Sequence, residues 1–341
     1  MKYDIIIGLP SCNEADSITH VTQEVDQGLK KYFPDHKALI INGDSASTDR
    51  TVEVFRDTMT DTPKEIIVAD KKGKGVNLFN ILNRAQEYNA DAIAFFDTDV
   101  KSINEEWILK LIGPIFDGCG FVTPHFIRSL YDGTITNQFA YPVFHSLYGI
   151  DIRQPIGGEI ALSGTAAKAV LKSPYPPEVE RYGIDIFIAA TTASMGFKIT
   201  QGSLGVKSHK SSLSKLDRMF FQVVDTFFKT ARMHHSYIEQ IKAVTEVDFE
   251  KLDIAPPIVE LDKDYLMERA AGKEHLDSEK WINLIAEHFG NAQKLVPYFF
   301  QRVLSFFDEI EDKSYESGEE SIRKQADMFF DKRQLLIEKI K

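Results

Sequence analysis

The sequence predicts an α/β protein built on an open, mainly parallel sheet, followed by a helical C-terminal extension. Two patterns point to this. Through the first third of the chain, short apolar runs alternate with longer amphipathic stretches, the arrangement expected of strands joined by crossover helices. From about Ser212 onward, long stretches with helical spacing take over. The division predicted is a sheet domain over residues 1–211 and a helical region over 212–341.

Strands are expected at residues 4–9, 38–42, 65–68 and 92–96, with helices at 15–32, 49–58 and 76–88. Each strand runs into a cluster of small, polar or acidic residues, and in open parallel sheets the ligand crevice lies beyond the carboxyl ends of the strands. Those clusters are therefore expected on one rim. In the extension, helices are expected at 213–243, 278–289 and 292–310, with one more exposed helix over 311–341. Their apolar faces suit either an internal core or a homodimer seam.

A formal net charge of −11 argues against wrapping nucleic acid, which is bound through Lys and Arg. Two cysteines, Cys12 and Cys119, cannot build a disulfide framework and suit a reducing cytoplasm. The aliphatic run at residues 5–7 falls far short of the ~20 apolar residues that span a bilayer. No export signal is read in the first residues, so a cytoplasmic protein without stable membrane insertion is expected.

The residues with the most chemistry are Asp97-Thr98-Asp99, directly after an apolar strand. Carboxylates leaving a buried strand must be hydrated, paired or bound to a cation, and oxygen ligands suit Mg2+ or Mn2+. In Asp44-Ser45-Ala46-Ser47-Thr48-Asp49, Asp44 and Ser45 stand nearest the strand end, where they could bond a base or ribose, while the last three suit helix caps. Lys72-Gly73-Lys74-Gly75 opens a helix and could favour phosphate, although it lacks a P-loop pattern. Lys207-Ser208-His209-Lys210 offers an imidazole for a metal and lysines for phosphate.

In this order the clusters resemble the GT-A glycosyltransferases, and among them the retaining glucosyl-3-phosphoglycerate synthase family. The matching pieces are Leu9-Pro10-Ser11-Cys12-Asn13-Glu14, the Asp44 to Asp49 run, Gly73-Lys74-Gly75, Asp97-Thr98-Asp99, Pro155-Ile156-Gly157-Gly158-Glu159, Tyr182-Gly183-Ile184-Asp185 and Leu204-Gly205-Val206-Lys207-Ser208-His209. The resemblance implies a GT-A nucleotide-sugar-binding sheet. Pro10, Ser11, Cys12, Glu14 and Ser45 would line a uridine site, and Lys74, Asp97 and Thr98 would lie beside the nucleotide. Asp99 and His209 would hold Mg2+ or Mn2+.

By the same resemblance, Ile156, Gly157, Gly158 and Glu159 sit near the donor sugar. Tyr182 belongs to that site, and Asp185 takes the place of a family glutamate that binds sugar hydroxyls. Lys207 and the metal would stabilise departing UDP during front-side attack with retention. The implied donor is a nucleotide sugar, UDP-glucose ahead of GDP-mannose. Gly133, Thr134, Ile135 and Thr136 resemble the family's acceptor loop, but Thr134 replaces its arginine and Ser211 replaces an asparagine. Loss of that cationic fork weakens an anion site, so the small acceptor could be glycerate or another hydroxylated molecule. Arg128, Arg153 and Arg181 are candidate substitutes.

Two other readings share these motifs. A polyprenol-phosphate glycosyltransferase would need membrane access, for which Phe220, Phe221, Phe227 and Phe228 could serve. A nucleotide-sugar sensor would keep the pocket without turnover.

Overall fold

The computed structural model describes residues 2–210, 213–259 and 262–341. In chain order its first part runs β1 (Ile5–Ser11), α1 (Ile18–Tyr32), β2 (Ala38–Asp44), α2 (Thr51–Asp57), β3 (Lys64–Val68), α3 (Lys74–Glu87), β4 (Ala92–Phe95) and α4 (Glu106–Phe116). Then come β5 (Phe121–Ile127), a π-helical turn (Thr136–Ala140) leading into α5 (Tyr141–Tyr148), β6 (Ile150–Asp151), β7 (Ile160–Ser163), α6 (Gly164–Lys172), α7 (Ile184–Ser194) and β8 (Ile199–Val206).

The main sheet has seven strands in the order β3-β2-β1-β4-β7-β5-β8. β1 to β4 are parallel, as expected, while β7 runs antiparallel between β4 and β5. Both faces of the sheet are covered, so β1 is buried along its whole length, as parallel strands usually are. The two-residue period of a strand sends Ile5, Ile7 and Leu9 into a core shared with Val21, Val25, Trp107 and Ile108 of α1 and α4. Ile6 enters the other core, with Leu78 and Ile81 of α3.

That second core extends into the helical region. It takes in α8 (Leu216–Met233), α9 (His235–Ile238), α10 (Lys263–Met267), α11 (Ser278–Glu287), α12 (Ala292–Ile310), α13 (Tyr315–Asp331) and α14 (Gln334–Ile340). A short strand β9 (Thr245–Glu246) pairs with β6. Phe220 stacks on Phe299 at 4.0 Å between centroids, and Trp281 Nε1 donates to the Gln138 carbonyl at 2.6 Å. Each buried ring of this kind contributes roughly 1.5–3 kcal/mol. The last third is thus bonded into the same core as one face of the sheet.

Two expectations need correction, and one alternative is excluded. The helix expected over 213–243 stops at Met233, where His234 turns the chain and its Nδ1 meets Tyr148 Oη at 3.0 Å. The final stretch is two helices, whose Ile322, Ala326, Phe329, Leu336 and Ile340 are buried. Phe220, Phe227 and Phe228 are also buried and Phe221 packs against the core, so that aromatic run is not a face for a bilayer. Among the described residues no helix is long and apolar enough to cross a membrane.

Candidate active site

The carboxyl ends of β1, β2 and β4 and the loop after β8 open onto one cleft of about 1100 Å³. Pro10, Ser11, Cys12, Glu14, Ser45, Lys74, Asp97, Thr98 and Asp99 line it, as do Gly133, Thr134, Ile135, Thr136, Ile156, Gly157, Gly158, Tyr182, Asp185, Lys207 and His209. Ser211 lies outside the described residues.

The loops are tied to each other before any ligand enters. Asn13 takes a positive φ of 62°, and its Oδ1 accepts from the Thr48 backbone at 2.8 Å, joining the β1 and β2 loops. Thr98 Oγ1 donates to the Pro10 carbonyl at 2.9 Å. Lys101 N–H donates to the Ser208 carbonyl at 2.8 Å, and Ser208 N–H to Ser102 Oγ at 2.9 Å. These last two bonds hold the segment bearing His209 against the turn bearing Asp99, so residues distant in sequence share one wall.

A buried charge network forms the floor. Lys74 Nζ lies 3.0 Å from Asp97 Oδ1 and 3.2 Å from Asp185 Oδ2. Lys207 Nζ lies 2.7 Å from Glu159 Oε2, 2.7 Å from the Gly157 carbonyl and 3.6 Å from Asp97 Oδ2. Burial opposes charge on Asp97, but Lys74 and Lys207 outweigh it and hold the carboxyl down at about 2. Asp99 differs: burial, then the neighbouring Asp97 carboxylate, push its carboxyl up. Burial likewise raises Asp185, and lifts Glu159 to about 7.

Gly158 sits at φ +91°, and a Cβ there would fall 2.0 Å from Asp97 Oδ2, so only glycine fits between the network and the cleft. Gly73 and Gly75 have a different reason from the one expected. A Cβ on either would collide with the Glu180 or Val179 carbonyl, and the Gly75 N–H is spent on the Arg181 carbonyl at 3.2 Å. Close packing by itself therefore requires glycine at both positions.

Two expected site residues do not line the cleft. Asp44 is fully buried, and its carboxylate accepts from Ser11 Oγ at 3.0 Å and from the Ser47 backbone at 2.7 Å. It braces the wall. Glu159 is also fully buried and touches the cleft wall through Lys207 and through the Asp97 backbone N–H, from which it accepts at 3.4 Å. Of the candidate arginines, Arg128 and Arg181 line the cleft. Arg153 is buried elsewhere, bonded to Asn137 at 2.8 Å and to both Glu319 oxygens.

Several lining residues escape a motif reading. Asp132, beside Gly133, pairs with the candidate Arg128; the spacing of four residues is the signal that could have found it. Lys210 Nζ meets Glu14 at 2.6 Å and Asp16 at 2.8 Å. Met219 and Val223 from α8, Ile258 and Val259 from the segment before α10, and Phe307 from α12 complete an apolar wall. They lie too far along the chain to be joined to a motif.

Fold and cleft together define a glycosyltransferase of the GT-A type. A family described as "Mannosylglycerate synthase, GT domain" matches residues 37–231. That is more than half of the chain, and the chain belongs to this family. It is 28% identical over 242 residues to glucosyl-3-phosphoglycerate synthase of Mycolicibacterium smegmatis, covering 65% of this chain and 76% of that one. It is 23% identical over 218 residues to mannosylglycerate synthase of Rhodothermus marinus, covering 60% of this chain and 55% of that protein. Among solved structures, glucosyl-3-phosphoglycerate synthase of Mycobacterium tuberculosis with Mn2+, UDP and phosphoglyceric acid shares the fold. Its TM-score is 0.56 at 24% identity, over 67% of this chain and 78% of that one.

Proposed function

We propose that this chain transfers a hexose, glucose in preference, from a UDP-sugar to a small hydroxylated acid such as glycerate or 3-phosphoglycerate, with retention at the anomeric carbon and with Mg2+ or Mn2+. The observation that carries the reading is the convergence of Asp97, Asp99, Lys74, Lys207 and His209 on one cleft. The relatives named above make glucosyl or mannosyl derivatives of such acids, and the tuberculosis structure contains Mn2+ and UDP.

Asp99 and His209 would hold the cation. Asp99 fits that role because burial and Asp97 leave its carboxyl short of positive charge. Among the described residues no three His, Cys, Asp or Glu side chains are grouped for a metal, which suits an ion that takes its other ligands from phosphates and water. Such an ion neutralises charge growing on a departing diphosphate. Lys207, pinned by Glu159 and Gly157, presents a second fixed cation to that leaving group. Asp185 would bind sugar hydroxyls and the Ile156 to Gly158 loop would border the reacting face. At the acceptor loop Arg128, rather than Thr134, supplies the cation for a carboxylate.

The test is a screen of UDP-glucose and GDP-mannose against glycerate and 3-phosphoglycerate, with Mn2+, Mg2+ or chelator, read as product and anomeric configuration. Metal-dependent α-glucoside of glycerate or its phosphate is expected. Tight UDP binding without turnover on any acceptor would sink the proposal.

A further inference from the structure

His209 makes two contacts that bear on how cation and acceptor share the site. Its Nδ1 lies 2.7 Å from the Lys210 carbonyl. A carbonyl only accepts, so in the neutral ring Nδ1 carries the proton and Nε2, 3.9 Å from Asp132 Oδ2, keeps the single available lone pair. That lone pair faces Arg128 Nη2 at 3.2 Å. Asp132 anchors the guanidinium, its Oδ2 accepting from Nε at 3.0 Å and from Nη2 at 2.8 Å. Arg128, Asp132, Gly133 and His209 all line the cleft, and a Cβ on Gly133 would meet the guanidinium at 3.5 Å. The arginine therefore stands between the imidazole and the acceptor loop.

We infer that Arg128 is a positioning residue that couples cation binding to acceptor binding, by occupying the His209 lone pair until the cation takes it and then turning to the acceptor's anionic group. The inference rests on the proposed assignment of His209 to the cation and Arg128 to the acceptor. One lone pair cannot serve a guanidinium N–H and a metal together, and two cations at one nitrogen repel. Asp132 keeps its hold on Nε, so the guanidinium pivots instead of leaving. Loading of the metal thus frees an N–H beside Gly133. By linkage, acceptor and cation raise each other's affinity by the same factor.

Calorimetric titration of the full chain with glycerate tests this, in chelator and in Mn2+ with UDP, for the wild type and His209→Ala. Wild type should bind glycerate about tenfold more tightly with Mn2+ and UDP, a coupling of ordinary size. His209→Ala in chelator should already bind as tightly as the loaded wild type, because nothing holds Arg128 back. Equal affinity of wild type and His209→Ala in chelator overturns the coupling. A second measurement needs no acceptor: Mn2+ binding followed by electron paramagnetic resonance should tighten several-fold in Arg128→Met, and unchanged affinity would overturn the inference. A wild type that binds Mn2+ but never glycerate removes the acceptor assignment and overturns the coupling with it, whatever the Mn2+ comparison gives.

Discussion

The proposed donor end of the cleft is framed by the carboxyl ends of adjacent parallel strands, whereas the proposed acceptor end is framed by the loop after β5, the first turns of α8 and residues from the segment before α10. At the donor end the charges are buried and paired with each other: Lys74, Asp97, Lys207, Glu159 and Asp185 form one network. At the acceptor end the charges sit in pairs such as Arg128 with Asp132, open to the cleft. A buried network tolerates little change, since removing one partner leaves another charge unpaired. Open pairs can be exchanged, which makes the acceptor end the place where relatives with one donor chemistry can differ in specificity.

The largest effect should come from the donor end. Asp99→Ala is expected to lower metal-dependent donor turnover about 10³-fold, the upper range for losing one fixed electrostatic group, measured as UDP release. Lys207→Met should follow, with kcat down by about 10²-fold and little change in acceptor KM. A Lys207 variant that mainly raises acceptor KM would break the division between the two ends.

The acceptor end separates two arginines. Arg153→Ala removes a buried cation from Glu319 and Asn137 and should cost roughly 3 kcal/mol of stability, read in denaturant unfolding. Arg128→Ala should leave unfolding nearly unchanged and raise acceptor KM about tenfold, as loss of a charge-assisted bond does. The reverse pattern would mean that the structural and substrate-facing arginines have been exchanged.

The smallest effect is a pH dependence. Glu159 has a folded value of about 7, above that of an ordinary carboxylate, so the folded chain binds its proton more readily than the unfolded chain. Its contribution is full at acid pH and is lost as pH rises towards about 7. Asp97 works the other way, its contribution being lost only as pH falls towards about 2. Glu159→Gln should therefore gain in Tm relative to wild type between pH 4.5 and pH 7.5, by roughly a few degrees. A difference in Tm that does not vary with pH would show that Glu159 does not titrate in this range.

Part of the donor end was legible because Asp97 to Asp99 follow the apolar run of residues 92–95, whereas Glu159 and Asp185 follow no strand and were reached only through the family resemblance. Burial could not be read the same way. Asp44 and Glu159 stand in matching motifs yet point into the protein, because hydroxyls and a lysine from other segments meet them there. The apolar side of the acceptor end was hidden for a different reason: Met219, Ile258, Val259 and Phe307 come from distant segments with no common local pattern. For Phe220 the sequence favoured burial over a membrane face but could not name its partner, which is Phe299, far along the chain.

Asp99 and His209 are proposed to hold together the cation that receives the donor's diphosphate. Calorimetric titration of UDP with and without Mn2+, in the wild type, Asp99→Asn and His209→Ala, tests it most directly. Mn2+ should tighten UDP binding strongly in the wild type and hardly at all in either variant. Full tightening by Mn2+ in both variants would contradict the account.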